Sequence, residues 1–238
     1  MTGSATGIGR ATAVRVAHEG ARVATFDIND EQAEKTLLTI KQTGGTARYW
    51  HVDVSNEQEI TYSVDQAIDW LGGGVDILLH VAGVLKGADL DITEFREETW
   101  DLVIDINLKG SFLMAKHVAR HMKSRGAGVM IFTSSGAGVL GGSSSYAYGS
   151  SKGGTHGLSM VLAQHLEQFG IRVHDVLPGS LETPLKVAAT EESLANTGDQ
   201  ERYQKTMSGL SSPEGVASVM AFLASDQADY VRGSIRTI

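Results

Sequence analysis

Tyr148 and Lys152 stand four residues apart in a stretch of helical period, so a phenol and an ammonium share one helix face. A free phenol, with a pKa of about 10, is a poor base at neutral pH, and a cation beside it favours the phenolate. The pair reads as a proton-transfer device in which Lys152 tunes Tyr148 toward the pH at which it works. Taken alone, a Tyr and a Lys at this spacing describe no more than a solvated helix edge. Their company gives them weight. Ser135 lies thirteen residues earlier, just past the apolar run Val129 to Thr133. A hydroxyl at the carboxyl end of a strand is where open α/β sheets bind ligands, and it suits a substrate oxygen. Ser135 does not read as a nucleophile, because it does not stand in Gly-x-Ser-x-Gly and no His and Asp follow in a triad arrangement. Tyr146 offers no second pair, since Ser150 is the residue four further on.

A second constellation lies at the other end. Thr2-Gly3-Ser4-Ala5-Thr6-Gly7-Ile8-Gly9 runs directly into a helical segment from Arg10 to Ala17. Glycines at such a turn let a pyrophosphate approach the backbone, and the N–H groups at the helix start stabilise its charge. By itself the turn is equally a glycine turn with no ligand. About twenty residues on, where the dinucleotide fingerprint wants an acid, stands Asp27. A carboxylate there accepts hydrogen bonds from the ribose hydroxyls and repels the 2′-phosphate of NADP. Neither Thr6 nor Ile28 is basic, so NAD is the expected cofactor. In isolation Asp27 also reads as a cap of the next turn.

The elements that must position these residues follow from periodicity. Short apolar runs alternate with helical stretches almost from end to end, the pattern of a doubly wound parallel sheet of Rossmann type in a single domain, 1–238. Expected strands are Arg22 to Phe26, Ala47 to Val52, Asp76 to Val81, Gly128 to Thr133 and Arg172 to Leu177. Helices are expected to begin near Ile8, Asp30, Asn56, Phe95, Ser145 and Ser212, several behind a Ser, Asn or Asp cap. Only Met1 and Thr2 precede the glycine turn, so the first, central strand is expected to be truncated; Gly233 to Ile238 begins a last strand.

Composition narrows the function classes. With 20 Lys plus Arg against 28 Asp plus Glu, the net charge is −8 and no basic block marks a nucleic-acid partner. The absence of cysteine excludes disulfides, thiolate catalysis and Cys-based metal sites. The histidines form no metal-ligand spacing. No apolar run approaches the roughly 20 residues of a membrane span, and no secretory signal leads the chain, so a cytoplasmic location is expected.

Taken together, Thr2-Gly3-x-x-x-Gly7-x-Gly9, Asp27, Asp53-Val54, Ala82-Gly83, Asn107, Ser135, Tyr148-x-x-x-Lys152 and Pro178-Gly179 with Thr183 resemble the short-chain dehydrogenase/reductase family over nearly the whole chain. The resemblance implies that Tyr148 exchanges a proton with the substrate oxygen and Ser135 orients that oxygen. Lys152 would lower the phenol pKa and hold the nicotinamide ribose. Asn107 matches the family asparagine that shapes a helix and supports a water-linked proton relay. Asp53 and Val54 resemble the adenine-contacting pair, and Pro178, Gly179, Leu181 and Thr183 the segment that fixes the carboxamide. His80-Val81-Ala82-Gly83 departs from the usual Asn-Asn-Ala-Gly; the resemblance leaves Ala82 and Gly83 able to contact the cofactor through their backbone, and His80 reads as a structural substitute at the same place. His174 likewise replaces an asparagine.

What the resemblance implies is NAD-dependent hydride transfer between nicotinamide and a secondary alcohol or ketone, with oxidation the favoured direction. It also implies a homodimer or homotetramer through the segments Phe95 to Lys123 and Ser145 to Phe169. The segment Pro184 to Leu210 reads as a mobile, partly helical substrate lid, and it leaves sugars, polyols, hydroxysteroids, 3-oxoacyl thioesters and small cyclic alcohols open. Three alternatives stand beside this: an epimerase or dehydratase on the same fold, a nucleotide-binding sensor or scaffold without turnover, and an inert fragment.

Overall fold

The inner apolar runs become parallel strands covered on both faces, whereas the outer strands Thr46–His51 and Gly233–Arg236 stay largely exposed. The computed structural model describes residues 1–238. The strands are β1 (Arg22–Asp27), β2 (Thr46–His51), β3 (Ile77–His80), β4 (Gly128–Thr133), β5 (Ile171–Leu177) and β6 (Gly233–Arg236). β1 pairs with β2, and β3 to β6 pair in sequence order, all in parallel. Leu78, Met130 and Phe132 point into one core and Leu79, Val129 and Ile131 into the other, the period-2 alternation of a strand covered on both sides.

Met1 and Thr2 stand where the expected central strand belongs. Thr2 forms parallel bridges to both Phe26 and His80. Phe26 N donates to Met1 O at 2.8 Å and Thr2 N to Leu79 O at 3.0 Å, so two residues join the halves of the sheet. The order across it is therefore β2, β1, Met1–Thr2, β3, β4, β5, β6. The chain reverses direction of progress at Thr2, and the carboxyl ends of β1 and β3 diverge there to open a crevice.

Helices α1 (Gly7–His18), α2 (Asp30–Gln42), α3 (Glu57–Leu71), α4 (Glu97–Ile104), α5 (Gly110–Arg125), α6 (Gly136–Val139), α7 (Tyr146–Leu166), α8 (Pro184–Thr197), α9 (Gln200–Ser208) and α10 (Glu214–Ala224) connect the strands and cover the two faces. Their starts carry the caps that the sequence offers: Asn29, Asn56 and Ser145 accept backbone N–H bonds from Gln32, Gln58 and Tyr148. The single helix expected from Phe95 differs. A π-helical turn, Asp105–Lys109, separates α4 from α5 and turns Asn107 inward. The lid segment forms α8 and α9. No helix is long and apolar enough to cross a membrane.

Candidate active site

The turn between Thr2 and α1 is built by close approach. Gly3 has φ +65°, and a Cβ there would stand 2.6 Å from Ala82 N. At Gly9 a Cβ would meet Gly3 O at 1.8 Å, well inside contact. α1 starts with neither a side-chain cap nor an acid in its first turn, so its leading N–H groups face the crevice free. Gly9→Ala is accordingly expected to displace the turn, cost about 1–3 kcal/mol of stability and abolish dinucleotide binding. Thermal unfolding and quenching of NADH fluorescence read the two losses; a variant that binds NADH normally contradicts the fit.

Asp27, at the end of β1, accepts Ala5 N through Oδ2 at 2.9 Å, and Ile28 N and Asn29 N through Oδ1 at 2.9 and 3.0 Å. Its carboxylate is thus fixed between the glycine turn and the start of α2 while it lines the crevice. The crevice, about 760 Å³, is lined by Gly3, Thr6, Gly7, Ile8, Gly9, Asp27, Ile28, Asp53, Val54, Ala82, Gly83, Ser135, Tyr148, Lys152, Pro178, Gly179, Leu181 and Thr183. These are residues named from the sequence, brought together from the turn after Thr2, the ends of β1 to β5 and helix α7. Asp53 keeps part of its carboxylate for Ser55, whose N–H and hydroxyl it accepts at 2.8 and 2.7 Å.

Three residues named from the sequence lie behind the crevice instead of on its wall. His80 is buried beneath the sheet, its Nδ1 2.9 Å from Thr2 Oγ1, and its ring is tilted against Phe132. Burial, aided by the charge of Lys152, pushes His80 down to about 3, so it stays neutral. It supports the Thr2 bridge and is not among the residues that line the crevice. His174 is likewise buried and held at about 4, first by burial and then by the Arg172 guanidinium, whose N–H donates to its Nε2 at 3.1 Å. Asn107 is fully buried; its Oδ1 accepts Val84 N at 2.8 Å, and its Nδ2 donates to Val84 O and Ser151 Oγ, both at 2.9 Å. It fastens the loop after β3 to α7. Its carbonyl accepts the hydroxyls of Ser111 and Thr155.

α7 presents Tyr148 and Lys152 on one face, as the spacing requires. Ser145 starts the helix by accepting Tyr148 N at 3.2 Å, and its own hydroxyl donates to Lys86 O at 2.7 Å. The Lys152 Nζ lies 5.8 Å from the centre of the Tyr148 ring. It donates to Thr133 O at 2.7 Å, at the end of β4. The electrostatics differ from the sequence expectation. Burial raises the Tyr148 phenol above its ordinary value, and the group that opposes this is the Ser135 hydroxyl. Lys152 itself is pushed down to about 8 by burial, with Asp175 pulling upward. The ammonium faces a carbonyl, not the phenol oxygen, so desolvation outweighs its pull on Tyr148.

Helices α8 and α9 are latched to the loop after β3. Asp89 holds φ +54°, the one residue other than glycine in the left-handed region. It receives Ser193 Oγ at 2.5 Å and pairs with Arg202 at 3.1 Å, while Asn196 Nδ2 donates to Ala88 O at 2.7 Å and Gly87 N to Glu192 at 3.0 Å. Sequence reasoning passed over Asp89 and Asp175; the second carried a signal, a charged residue inside the apolar run Val173 to Leu177.

Residues 3–238 match the family described as Enoyl-(Acyl carrier protein) reductase. An uncharacterized oxidoreductase of Bacillus subtilis (strain 168), YxbG, is 38% identical over 239 residues, covering 98% of this chain and 86% of the relative. The human (3R)-3-hydroxyacyl-CoA dehydrogenase is 33% identical over 242 residues, covering 98% of this chain and 90% of the relative. A short-chain dehydrogenase from Mycobacterium paratuberculosis, solved bound to NAD, superposes with a TM-score of 0.87 at 26% identity, over all of this chain and 94% of that one. Sheet, glycine turn and relatives together make the protein an oxidoreductase on a Rossmann-like fold. The chain belongs to the short-chain dehydrogenase/reductase family.

Proposed function

We propose that the protein transfers hydride between NAD and a secondary alcohol or its ketone, with Tyr148 moving the proton at the substrate oxygen. The observation that carries this reading is the convergence of Ser135, Tyr148 and Lys152 on the crevice that the glycine turn and Asp27 also line. The cradle suits the cofactor, since Gly3 and Gly9 let the turn fold closely against Ala82 and against itself, and α1 offers uncapped N–H groups at the crevice. Gly3 to Gly9 would hold the pyrophosphate, Asp27 the adenosine ribose, and Thr183 with the Pro178-Gly179 turn the far end. When bound, nicotinamide supplies the hydride acceptor or donor. Ser135 orients the substrate oxygen, and Tyr148 takes its proton during oxidation or returns it during reduction. Lys152 places a positive charge under that site. α8 and α9, latched through Asp89, close over the substrate side and exclude water.

Purified protein mixed with NAD⁺ and a panel of secondary alcohols is expected to generate NADH absorbance. Tight NAD⁺ binding with no reduction by any alcohol supports a sensor instead. NAD is expected over NADP by at least about a hundredfold in affinity, because the fixed Asp27 carboxylate meets the 2′-phosphate. Asp27→Ala combined with Ile28→Arg is expected to reverse the order, measured by fluorescence titration with NADH and NADPH; equal affinities in the unaltered protein contradict the role of Asp27. The exposed Trp100, Leu102, Phe112, Met160 and Val161 on α4, α5 and α7 support association of copies through those helices.

A further inference from the structure

Asp175 is a carboxylate in the interior of β5, 1% exposed, in a run where valine or alanine would satisfy the strand. A buried charge is costly unless it is paired and hydrogen-bonded, and Asp175 is provided for on every side. Its Oδ1 accepts Ser134 N at 3.1 Å and its Oδ2 accepts Ser134 Oγ at 2.8 Å. His156 Nδ1 lies 2.7 Å from the same Oδ2, and Ser234 Oγ of β6 approaches that nitrogen at 3.2 Å.

The place of these contacts in the chain matters more than their number. Ser134 stands between Thr133, whose carbonyl receives the Lys152 ammonium, and Ser135, which lines the crevice beside Tyr148. Ser134 N also donates to Val176 O at 3.0 Å, and Asp175 adds a second hold on that N–H and the hold on the hydroxyl, which together fix the rotation of the β4 end and hence the aim of its two neighbours. His156 lies one helical turn beyond Lys152 on α7, so the same carboxylate ties that helix to β4.

We propose that Asp175, backed by His156, is a positioning residue of the site: it locks the Thr133–Ser135 strand end in place and sets a negative charge beneath the Lys152 ammonium. This rests on the hydride-transfer reading for its kinetic consequence but not for its electrostatic one. The titratable groups around Lys152 are Tyr148 and His156 on its own helix, His80 on β3 and Asp175 on β5. His80 is neutral, being held at about 3, and Asp175 is the group that raises Lys152 against the burial that lowers it.

Asp175→Asn keeps the shape and removes the charge, while Ser134→Ala keeps the charge and removes one contact. In the protein carrying ¹³C-labelled lysine, the Lys152 resonance, assigned by its loss in Lys152→Met, is expected to titrate about one pH unit lower in Asp175→Asn and to stay in place in Ser134→Ala. The alkaline limb of the alcohol oxidation rate is expected to move down with it in Asp175→Asn, with kcat about tenfold lower. His156→Ala opens the carboxylate to water and screens it, so the titration moves the same way by less, and it serves if Asp175→Asn does not fold. A Lys152 titration unmoved in both Asp175→Asn and His156→Ala, or unmoved in His156→Ala where Asp175→Asn does not fold, overturns the proposal. Because the resonance is read without turnover, a protein that oxidises no alcohol refutes the hydride-transfer reading alone.

Discussion

Tyr148→Phe is expected to lower turnover of an alcohol by on the order of a thousandfold while NAD⁺ affinity stays within about threefold, the range for loss of one positioned acid–base group. The separation follows from how the residue is held. Its main chain is fixed by the Ser145 cap and by Ser151, whose hydroxyl donates to Tyr148 O at 2.9 Å, and neither contact involves the phenol oxygen. Phe therefore keeps the ring in place and removes only the proton carrier. Because burial raises the phenol, oxidation by the unaltered protein is expected to quicken as pH rises until Lys152, held at about 8, gives up its proton, and Tyr148→Phe is expected to lose the rising limb. Stopped-flow or steady-state rates with NADH binding measured in parallel decide it. Equal loss of turnover and binding means that the ring, not its hydroxyl, is what the site needs.

How far the sequence reached can be judged from single elements. β4 was bounded at Gly128 and Thr133 in both sequence and structure, because it is apolar, β-branched and covered on both faces. The parallel, doubly wound architecture was legible for the same reason. The Thr2 bridge was not, since two residues carry no periodicity; their role rests on pairing with Phe26 and His80, partners distant in sequence. The π-helical turn around Asn107 was also invisible, for one extra residue in a helical period leaves the apolar pattern almost unchanged. The residues at strand ends were found from motif spacing, and they line one crevice. What spacing could not deliver was direction. Lys152 and Tyr148 share a face, yet the ammonium turns to Thr133 O, a partner set by how α7 sits on β4. Asp175 was missed because its partners Ser134 and His156 are 41 and 19 residues away, joined only by the fold.

Lys152→Met is expected to stop turnover and, independently of catalysis, to change the way stability depends on pH. The Lys152 side chain is 4% exposed, and burial pushes its pKa from 10.5 to about 8. A lowered pKa means that the folded state penalises the ammonium. The penalty is complete below about pH 8, where both folded and unfolded chains are protonated at this site, and it is relieved as pH rises from about 8 to 10.5. At about 1.4 kcal/mol per pH unit between those two values, the unaltered protein should gain about 3 kcal/mol over the full window relative to the Met variant. The carbonyl of Thr133 loses a donor in Lys152→Met, but that cost is the same at every pH and drops out of the comparison. Titrations far from Lys152 are common to both proteins and cancel, and His80, which Lys152 does influence, is held at about 3, outside the window. Denaturant unfolding at several pH values between 7 and 10 measures the difference. Stability curves that run parallel across that range mean that water reaches the ammonium freely, and the picture of a desolvated cation held under the crevice fails with it.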